Sequence, residues 1–322
     1  MDQMPQIFDT IVIGAGPAGI TAAIYAVRKN LKVLVLTKDI GGQAALSGDI
    51  ENYPGFSVIT GSDLAKQFRI ELVNFESKGL WIKEGVEVIS LSGADPDFVV
   101  KTSEGREYHS KTVIIASGRI PKMLNIPGEK RLYGKGVTTC RACEAPFYKD
   151  KDVAIVGGGN SALDAAFSLQ KVARSITIIN ITESLRGDEI LLKNVTSSPK
   201  VKVLNNHEAI EILGDQAVGG IKIRNTQNNE EQVIPISGVF VEIGWSPSTT
   251  FDKLTDKNEK GEIEVDAFGA TSVPGIYACG DVNNIWGEQI VIAAGEGSKT
   301  ALRVAEHIAK VPHQVTSNIH EG

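Results

Sequence analysis

Basic excess, long apolar runs and cysteine are all scarce in this chain. Over 322 residues, 33 Lys and Arg stand against 39 Asp and Glu, a formal charge of -6. Nucleic-acid binding wants a basic patch, and this balance offers none. No apolar run approaches the ~18 residues of a membrane span. The stretch Met1–Gln6 has no basic flank followed by apolar residues, so no signal peptide is expected. Three cysteines are too few for a disulfide scaffold. These absences point to a soluble protein of a reducing, cytoplasmic compartment, with no nucleic-acid or membrane partner.

What is present is glycine at chosen places. The length favours two domains over one. Hydrophobic residues make up 42%, enough for a core in each, and there are 33 glycines. Ile11-Val12-Ile13 reads as a buried parallel strand ending at Gly14. A helix is expected from about Ile20 to Lys29 and a strand over Leu31–Leu36. The plan returns about 140 residues later. There Val153–Val156 reads as a strand, Ser161–Val172 as a helix and Ile176–Ile179 as a strand. Phe98–Thr102 and Tyr108–Ile115 read as hairpin-like β insertions, and the pattern recurs at Val201–Leu204, Ile221–Ile223 and Val239–Ile243. A last turn and strand over Ser272–Asp281 precede a helix from about Gly295 to Lys310. The tail from Val311 is polar.

Each strand-helix unit carries a glycine fingerprint. The first is Gly14-x-Gly16-x-x-Gly19, with Pro17 and Ala18 inside it. Such glycines allow a tight turn, close approach of backbone to a pyrophosphate, and close helix–strand packing. The helix amino end then offers N–H groups and a positive dipole end. The second is Gly157-x-Gly159-x-x-Ala162, with Asn160 and Ser161 inside it. Both lack the acidic ribose reader expected at the end of the next strand. Thr37 stands there in the first unit and Asn180 in the second. An Asn can hydrogen-bond a ribose hydroxyl but brings no charge. The second unit therefore reads either as a nucleotide site or as a retained scaffold.

Between the fingerprints lies Cys140-Arg141-Ala142-Cys143. A Cys-x-x-Cys pair can be half of a zinc site, two small buried residues or a redox dithiol. Structural zinc wants four ligands. The only other cysteine is Cys279, and His109, His207, His307, His313 and His320 are scattered, so no metal site is expected. The redox reading is preferred. Arg141 favours a thiolate electrostatically, and Glu144 could move a proton when the disulfide opens. Cys279, before Gly280-Asp281, reads as a small buried residue.

These residues together resemble the low-molecular-weight thioredoxin reductases. They resemble equally the flavoprotein part of alkyl hydroperoxide reductase without its amino-terminal thioredoxin-like domains. The likeness runs from about Phe8 to Lys310. It rests on both fingerprints, Gly41-Gly42-Gln43, Glu51–Gly55 with Asn52, Ala116-Ser117-Gly118, the cysteine pair, Gly280-Asp281 and Gln289-Ile290. It implies an α/β fold of two Rossmann-like three-layer dinucleotide-binding domains, the second inserted into the first. FAD would be held by residues 1–118 and 245–322. The NAD(P)-binding-like domain, 119–244, would carry the cysteines. Gly41, Gly42, Gln43 and Asn52 would help hold FAD in spite of Thr37, and Asp281 would bind its ribityl-phosphate region. Gln289 and Ile290 would lie near the flavin ring. Cys143 would face the flavin, Cys140 would attack the partner's disulfide, and Glu144 would stand where the family's acid is usually Asp. The likeness also implies a homodimer, and two domain arrangements hinged near Gly118 and Gly244.

Three departures bear on function. The arginine cluster of NADPH-specific members is replaced by Asn180-Ile181-Thr182, with Arg186 remaining. Glu288 takes the place of a base before Gln289 and puts negative charge near the expected flavin site. The tail Val311–Gly322 is longer than in compact members, and His320 lies in it. The expected activity is FAD-dependent reduction of a thioredoxin-like protein's disulfide through Cys140 and Cys143. NADH stands marginally ahead of NADPH as donor. The rivals are ferredoxin or another reduced carrier as donor, and a flavin thiol oxidase.

Overall fold

The computed structural model describes residues 7–140 and 144–310. Arg141, Ala142, Cys143 and the tail from Val311 with His320 lie outside the described residues. The chain opens with β1 (Ile7–Ala15), α1 (Pro17–Arg28) and β2 (Val33–Ile40). β1 and β2 pair in parallel, Val12 beside Val35. Alternate residues of a strand face opposite ways. Val12, Val33, Val35 and Ile114 therefore enter one core, while Ile11, Ile13, Leu34, Leu36 and Ile115 enter the other. With both faces covered, the strands read as unbroken apolar runs.

Next come α2 (Gly61–Val73), β3 (Leu80–Glu84), β4 (Val88–Ala94), β5 (Asp97–Thr102) and β6 (Glu107–Ile115). Thr60 caps α2, its hydroxyl accepting the Asp63 N–H at 3.2 Å. The sheet order among the described residues is β3-β2-β1-β6-β5-β4. β6 has two roles. It pairs antiparallel with β5, but its apolar half lies parallel to β1, Val12 beside Ile114. The hairpin-like reading of Tyr108–Ile115 covers only the first role.

β7 (Arg119–Pro121) leads into a second unit. Its elements are β8 (Val137–Thr138), β9 (Asp152–Val156), α3 (Asn160–Leu169), β10 (Ser175–Asn180), α4 (Glu189–Thr196), β11 (Val201–Asn205), β12 (His207–Leu213), β13 (Gly220–Asn225), β14 (Glu231–Pro235) and β15 (Gly238–Val241). The parallel sheet runs β8-β15-β9-β10-β11, and β12-β13-β14 form an antiparallel sheet. β11, which reads as hairpin-like in the sequence, pairs in parallel with β10, Ile178 beside Val203. Its partner comes through α4, so local alternation could not reveal the pairing.

β16 (Trp245–Pro247) returns the chain and pairs with β7. β17 (Ile276–Ala278) joins the first sheet beside β6, and α5 (Ile290–Lys310) follows. α5 starts five residues before the expected Gly295, because Gly295 and Gly297 are tolerated inside a helix whose packed face is buried. The two compact units are Met1–Arg119 with Pro247–Gly322, and Ile120–Ser246. Gly118 and Gly244, the expected hinge positions, precede the crossing strands with φ of 62° and 97°. Among the described residues no helix is long and apolar enough to cross a membrane.

At the edge of the second unit, Asp152 is bound by the Arg174 guanidinium and by the Ser175 hydroxyl at 2.6 Å. These donors hold its carboxyl at about 2. A depressed carboxylate stabilises the fold above its unfolded value of ~3.9, and the effect is lost as pH falls through the folded value. Asp152→Asn should lower the melting temperature at pH 7, with the deficit shrinking below pH ~4 and closing near pH ~2. Thermal melts of both proteins across that range check this; a deficit independent of pH would contradict it.

Candidate functional site

In the first unit the site grows from the turn between β1 and α1. Gly14 has φ +101°, and a Cβ there would stand 2.4 Å from the Ala116 carbonyl oxygen. A Cβ on Gly19 would stand 2.0 Å from the Gly14 carbonyl oxygen. Both positions need glycine for packing. Gly16 differs, since a Cβ there would meet nothing within 4 Å. No side chain caps the amino end of α1, and its first turn, opening at Pro17, has no acidic residue. α2 and α4, by contrast, are capped by Thr60 and Asp188. An uncapped, positively polarised helix end beside open space suits a pyrophosphate.

The surrounding loops are tied by side-chain bonds. Thr37 is buried, its hydroxyl accepting the Ala15 N–H at 3.1 Å and donating to the Asp39 carbonyl at 2.5 Å. It therefore staples β1 to β2. Asp39 Oδ1 accepts the Gly42 N–H at 3.1 Å and so orders Gly41-Gly42-Gln43. Gln43 Nε2 donates to the Arg119 carbonyl at 2.9 Å. Asn52 Nδ2 donates to Gln289 Oε1 at 3.0 Å, and Ile290 opens α5 next to that residue. The Ser117 hydroxyl, between Ala116 and Gly118, donates to the Ser248 carbonyl at 2.7 Å. A Cβ on Gly280 would stand 2.8 Å from the Ala18 methyl. The loops carrying every first-unit residue singled out by motif are thus joined to one another.

Two further residues shape this site. Glu296 on α5 is buried, and its Oε2 accepts the Gly280 N–H at 2.9 Å and the Asn283 amide at 2.7 Å. Its sequence signal is an acid on the face of α5 that also carries Ala293, Gly297, Ala301 and Val304. Arg119 is the other, and no motif contains it. Its Nη1 lies 2.7 Å from Glu288. Glu288, expected to put negative charge near the flavin site, is faced by this guanidinium from a distant strand. Burial pushes the Asp281 carboxyl up, Glu288 adds to the rise, and Arg119 opposes it. A desolvated carboxylate of this kind is matched by hydroxyl donors, which a ribityl chain carries.

The second unit repeats the turn. A Cβ on Gly157 would stand 2.2 Å from the Glu242 carbonyl oxygen, whereas Gly159 faces open space within 4 Å. No side chain caps α3 at Asn160 and Ser161, and Ala162 is fully buried. The end of β10 departs from a ribose reader. Asn180 is buried, and its Nδ2 donates to the Thr182 carbonyl at 3.1 Å and to Asn205 Oδ1 at 2.9 Å. Its Oδ1 accepts the Thr182 N–H at 3.3 Å and the Thr182 hydroxyl at 3.0 Å. The single Thr182 hydroxyl proton also faces the Ser184 carbonyl at 2.9 Å, so three of the amide's four hydrogen-bonding positions are engaged outright and the fourth is shared. Asn160 Oδ1 accepts the Asp188 N–H at 2.8 Å, and the Gly158 carbonyl accepts the Arg186 N–H at 2.8 Å.

Cys140 is disulfide-bonded. Its N–H donates to the Thr138 hydroxyl at 3.0 Å, and its carbonyl accepts the Glu144 N–H at 3.2 Å. Cys143 lies outside the described residues. Glu144 is half-buried and accepts a hydrogen bond from the Tyr148 phenol, which burial and Glu144 push up to about 12. Tyr148 lies edge-on to Phe240 at 5.2 Å, so its position is fixed by packing. Cys279 is free and fully buried, and burial pushes its thiol well up, away from thiolate chemistry. Among the described residues no group of three His, Cys, Asp or Glu could hold a metal ion.

Two glycine-turn dinucleotide units and a disulfide-bonded cysteine define a nucleotide-linked disulfide oxidoreductase. The model of the pyridine nucleotide-disulphide oxidoreductase family matches residues 8–297, and the chain belongs to that family. It is an oxidoreductase of the flavoprotein type with the thioredoxin reductase fold. It is 35% identical over 322 residues to an alkyl hydroperoxide reductase protein of Xanthomonas campestris pv. phaseoli, covering 97% of this chain and 59% of that protein. The chain thus spans under two thirds of that relative. A thioredoxin reductase structure from Lactococcus lactis (FR conformation) superposes with a TM-score of 0.84 at 30% identity, covering 94% of this chain and 100% of that one. For the thioredoxin reductase of T. acidophilum the values are 0.81, 37%, 94% and 99%.

Asp281 supplies a prediction with a sign. Its folded carboxyl lies above the ordinary range, so its stability contribution is lost as pH rises through that range. In flavin-free protein, Asp281→Asn should raise the melting temperature at pH 7, with the gain fading below pH ~4. The same variant should weaken FAD about 10- to 100-fold, as expected for one charged hydrogen bond. Melts and FAD titrations read both effects; a lower melting temperature with unchanged FAD affinity would contradict the assignment.

Proposed function

We propose that the chain is an FAD-dependent disulfide reductase acting on a thioredoxin-like protein through Cys140 and Cys143. One observation supports it above the rest. Cys140 is disulfide-bonded and is followed, in the same unit, by a carboxylate held in place through Tyr148. FAD would be held by the open Gly16 turn and the α1 amino end, with Asp281 toward its ribityl hydroxyls and Gln43, Asn52 and Gln289 on neighbouring loops. Bound FAD supplies the two-electron chemistry between a reduced donor and the cysteine pair.

The protein's own steps follow from thiol chemistry. The reduced Cys140 thiolate attacks one sulfur of the partner's disulfide, forming a mixed disulfide and expelling the second partner sulfur as a thiolate. Cys143 then attacks the Cys140 sulfur of the mixed disulfide, which releases the partner sulfur bonded to it as the second thiol and restores the Cys140–Cys143 disulfide. Two electrons and two protons pass to the partner per cycle. Glu144 would move the proton at the leaving sulfur. A homodimer is part of this reading.

For the donor, we place NADH marginally ahead of NADPH. The glycine turn and uncapped α3 remain, while Arg186 alone is left of the guanidinium groups that a 2′-phosphate needs. A second reading has its own support. The Asn180 amide spends both donors and at least one acceptor position inside the unit and so has no N–H left for a ribose, which favours a ferredoxin or another reduced carrier.

Cys140→Ser should retain FAD and lose disulfide turnover by at least ~10³-fold. FAD absorbance and reduction of a thioredoxin-like protein read the two properties. Retained turnover would remove the assignment. Anaerobic bleaching of the flavin by NADH, NADPH and reduced ferredoxin, compared side by side, decides the donor. NADH is expected to bleach fastest; bleaching by ferredoxin alone would select the second reading.

A further inference from the structure

Arg119 makes four contacts that no motif announces, and all lie within the first unit. Its Nε donates to the Asp281 carbonyl at 2.9 Å. Its Nη2 meets Glu262 Oε1 at 2.5 Å, and its Nη1 meets Glu288 Oε1 at 2.7 Å. Its own carbonyl accepts the Gln43 amide at 2.9 Å. The side chain is 16% exposed and that of Glu262 10%, so their pairing is largely shielded from water. Glu262 is fixed from behind, since its Oε2 accepts the Asn258 amide at 2.7 Å. The Glu288 side chain, by contrast, is 58% exposed. It immediately precedes Gln289, which is tied to Asn52.

We infer that Arg119 is a positioning residue for the flavin, and that Glu288 sets how much of its positive charge the cofactor feels. The inference rests on the FAD reading above. The guanidinium draws the Asp281 and Glu288–Gln289 segments toward one cation, so its loss loosens two cofactor loops together, while Gln43 stays on the backbone carbonyl of the same residue. Its charge also matters to redox chemistry. Two-electron reduction leaves flavin with negative charge near neutral pH, and charge beside the ring tunes its electronics. A cation close by favours the reduced form, and a carboxylate disfavours it. Glu262 balances Arg119 one to one. Glu288 is the extra negative charge, added to Asp281 and Glu296, whose charges also act on this neighbourhood. The site therefore holds the flavin toward its oxidised form, as a strong reductant once reduced.

Anaerobic dithionite titration against a reference dye reads the midpoint potential of the FAD-loaded protein, and FAD titration reads affinity. Glu288→Gln should keep FAD affinity within about threefold. It should tighten the reduced relative to the oxidised cofactor about tenfold, a rise of ~30 mV for a two-electron couple. Arg119→Gln should weaken FAD at least tenfold and lower the potential of the loaded fraction. The double variant should return near the wild-type potential, because one charge of each sign has gone. Arg119→Lys, which keeps the charge but not the fork, should hold the potential nearer to wild type than Arg119→Gln while FAD stays weak. If Arg119→Gln does not fold, Glu288→Gln and Glu288→Lys carry the test, with potentials rising in that order. Unchanged potentials in FAD-loaded Glu288 variants would overturn the inference. A wild-type protein that takes up no FAD would overturn the flavin reading itself.

Discussion

The first turn of α1 is held by contacts that leave no room for side chains. Gly19 stands against the Gly14 carbonyl, where a Cβ would come within 2.0 Å. A Cβ on Gly297 would come within 2.1 Å of the Ala18 carbonyl oxygen, and one on Gly280 within 2.8 Å of the Ala18 methyl. Two segments distant in sequence, at Gly280 and Gly297, therefore meet the same helical turn that Gly14 packs against. This constraint fixes where the uncapped amino end of α1 points and which face of Gly16 stays open. It also sets the distance of Asp281 from the turn. Close packing of this kind is unforgiving, because added volume has nowhere to go.

Electrostatics then separates the two units. In the first, acids accumulate: Asp281 and Glu296 are sheltered, Glu288 is exposed, and Arg119 is the cation set against Glu262 and Glu288. Burial raises Asp281 against the fold's own interest, the usual mark of a group kept for a ligand. The second unit keeps the glycine turn and the uncapped helix but closes the end of β10 with an amide network. Asn180, Thr182 and Asn205 satisfy one another there. A satisfied buried amide lowers the cost of its burial, and it equally removes the group from ligand recognition.

Much of the architecture is legible in the chain. Ile11-Val12-Ile13 and Val153–Val156 are apolar throughout because both faces of each sheet are covered, and that pattern is local. The glycine turns are legible for the same reason, since their spacing is set by one turn of one helix. The pairing of β11 is not, as its neighbour arrives through α4. α5 reads five residues too short in the sequence, its first turn at Ile290 lying before the expected Gly295. The partner of Glu288 is not legible either, since Arg119 lies 169 residues earlier in the numbering.

The sequence by itself determined the class of chemistry: two dinucleotide turns, a Cys-x-x-Cys between them, and the loss of the charged ribose readers. These rest on residue types at short spacing, where covalent geometry dictates what the backbone can do. Only the tertiary structure decided which polar groups remained available. Thr37 became a staple for β1, both Asn180 amide donors were spent inside the unit, and Asp281 stood desolvated. Arg119 became the cation joining the Asp281 and Glu288 segments. Hydrogen bonds and ion pairs act over a few ångströms of space regardless of separation along the chain, so their partners exist only once the fold has brought them together.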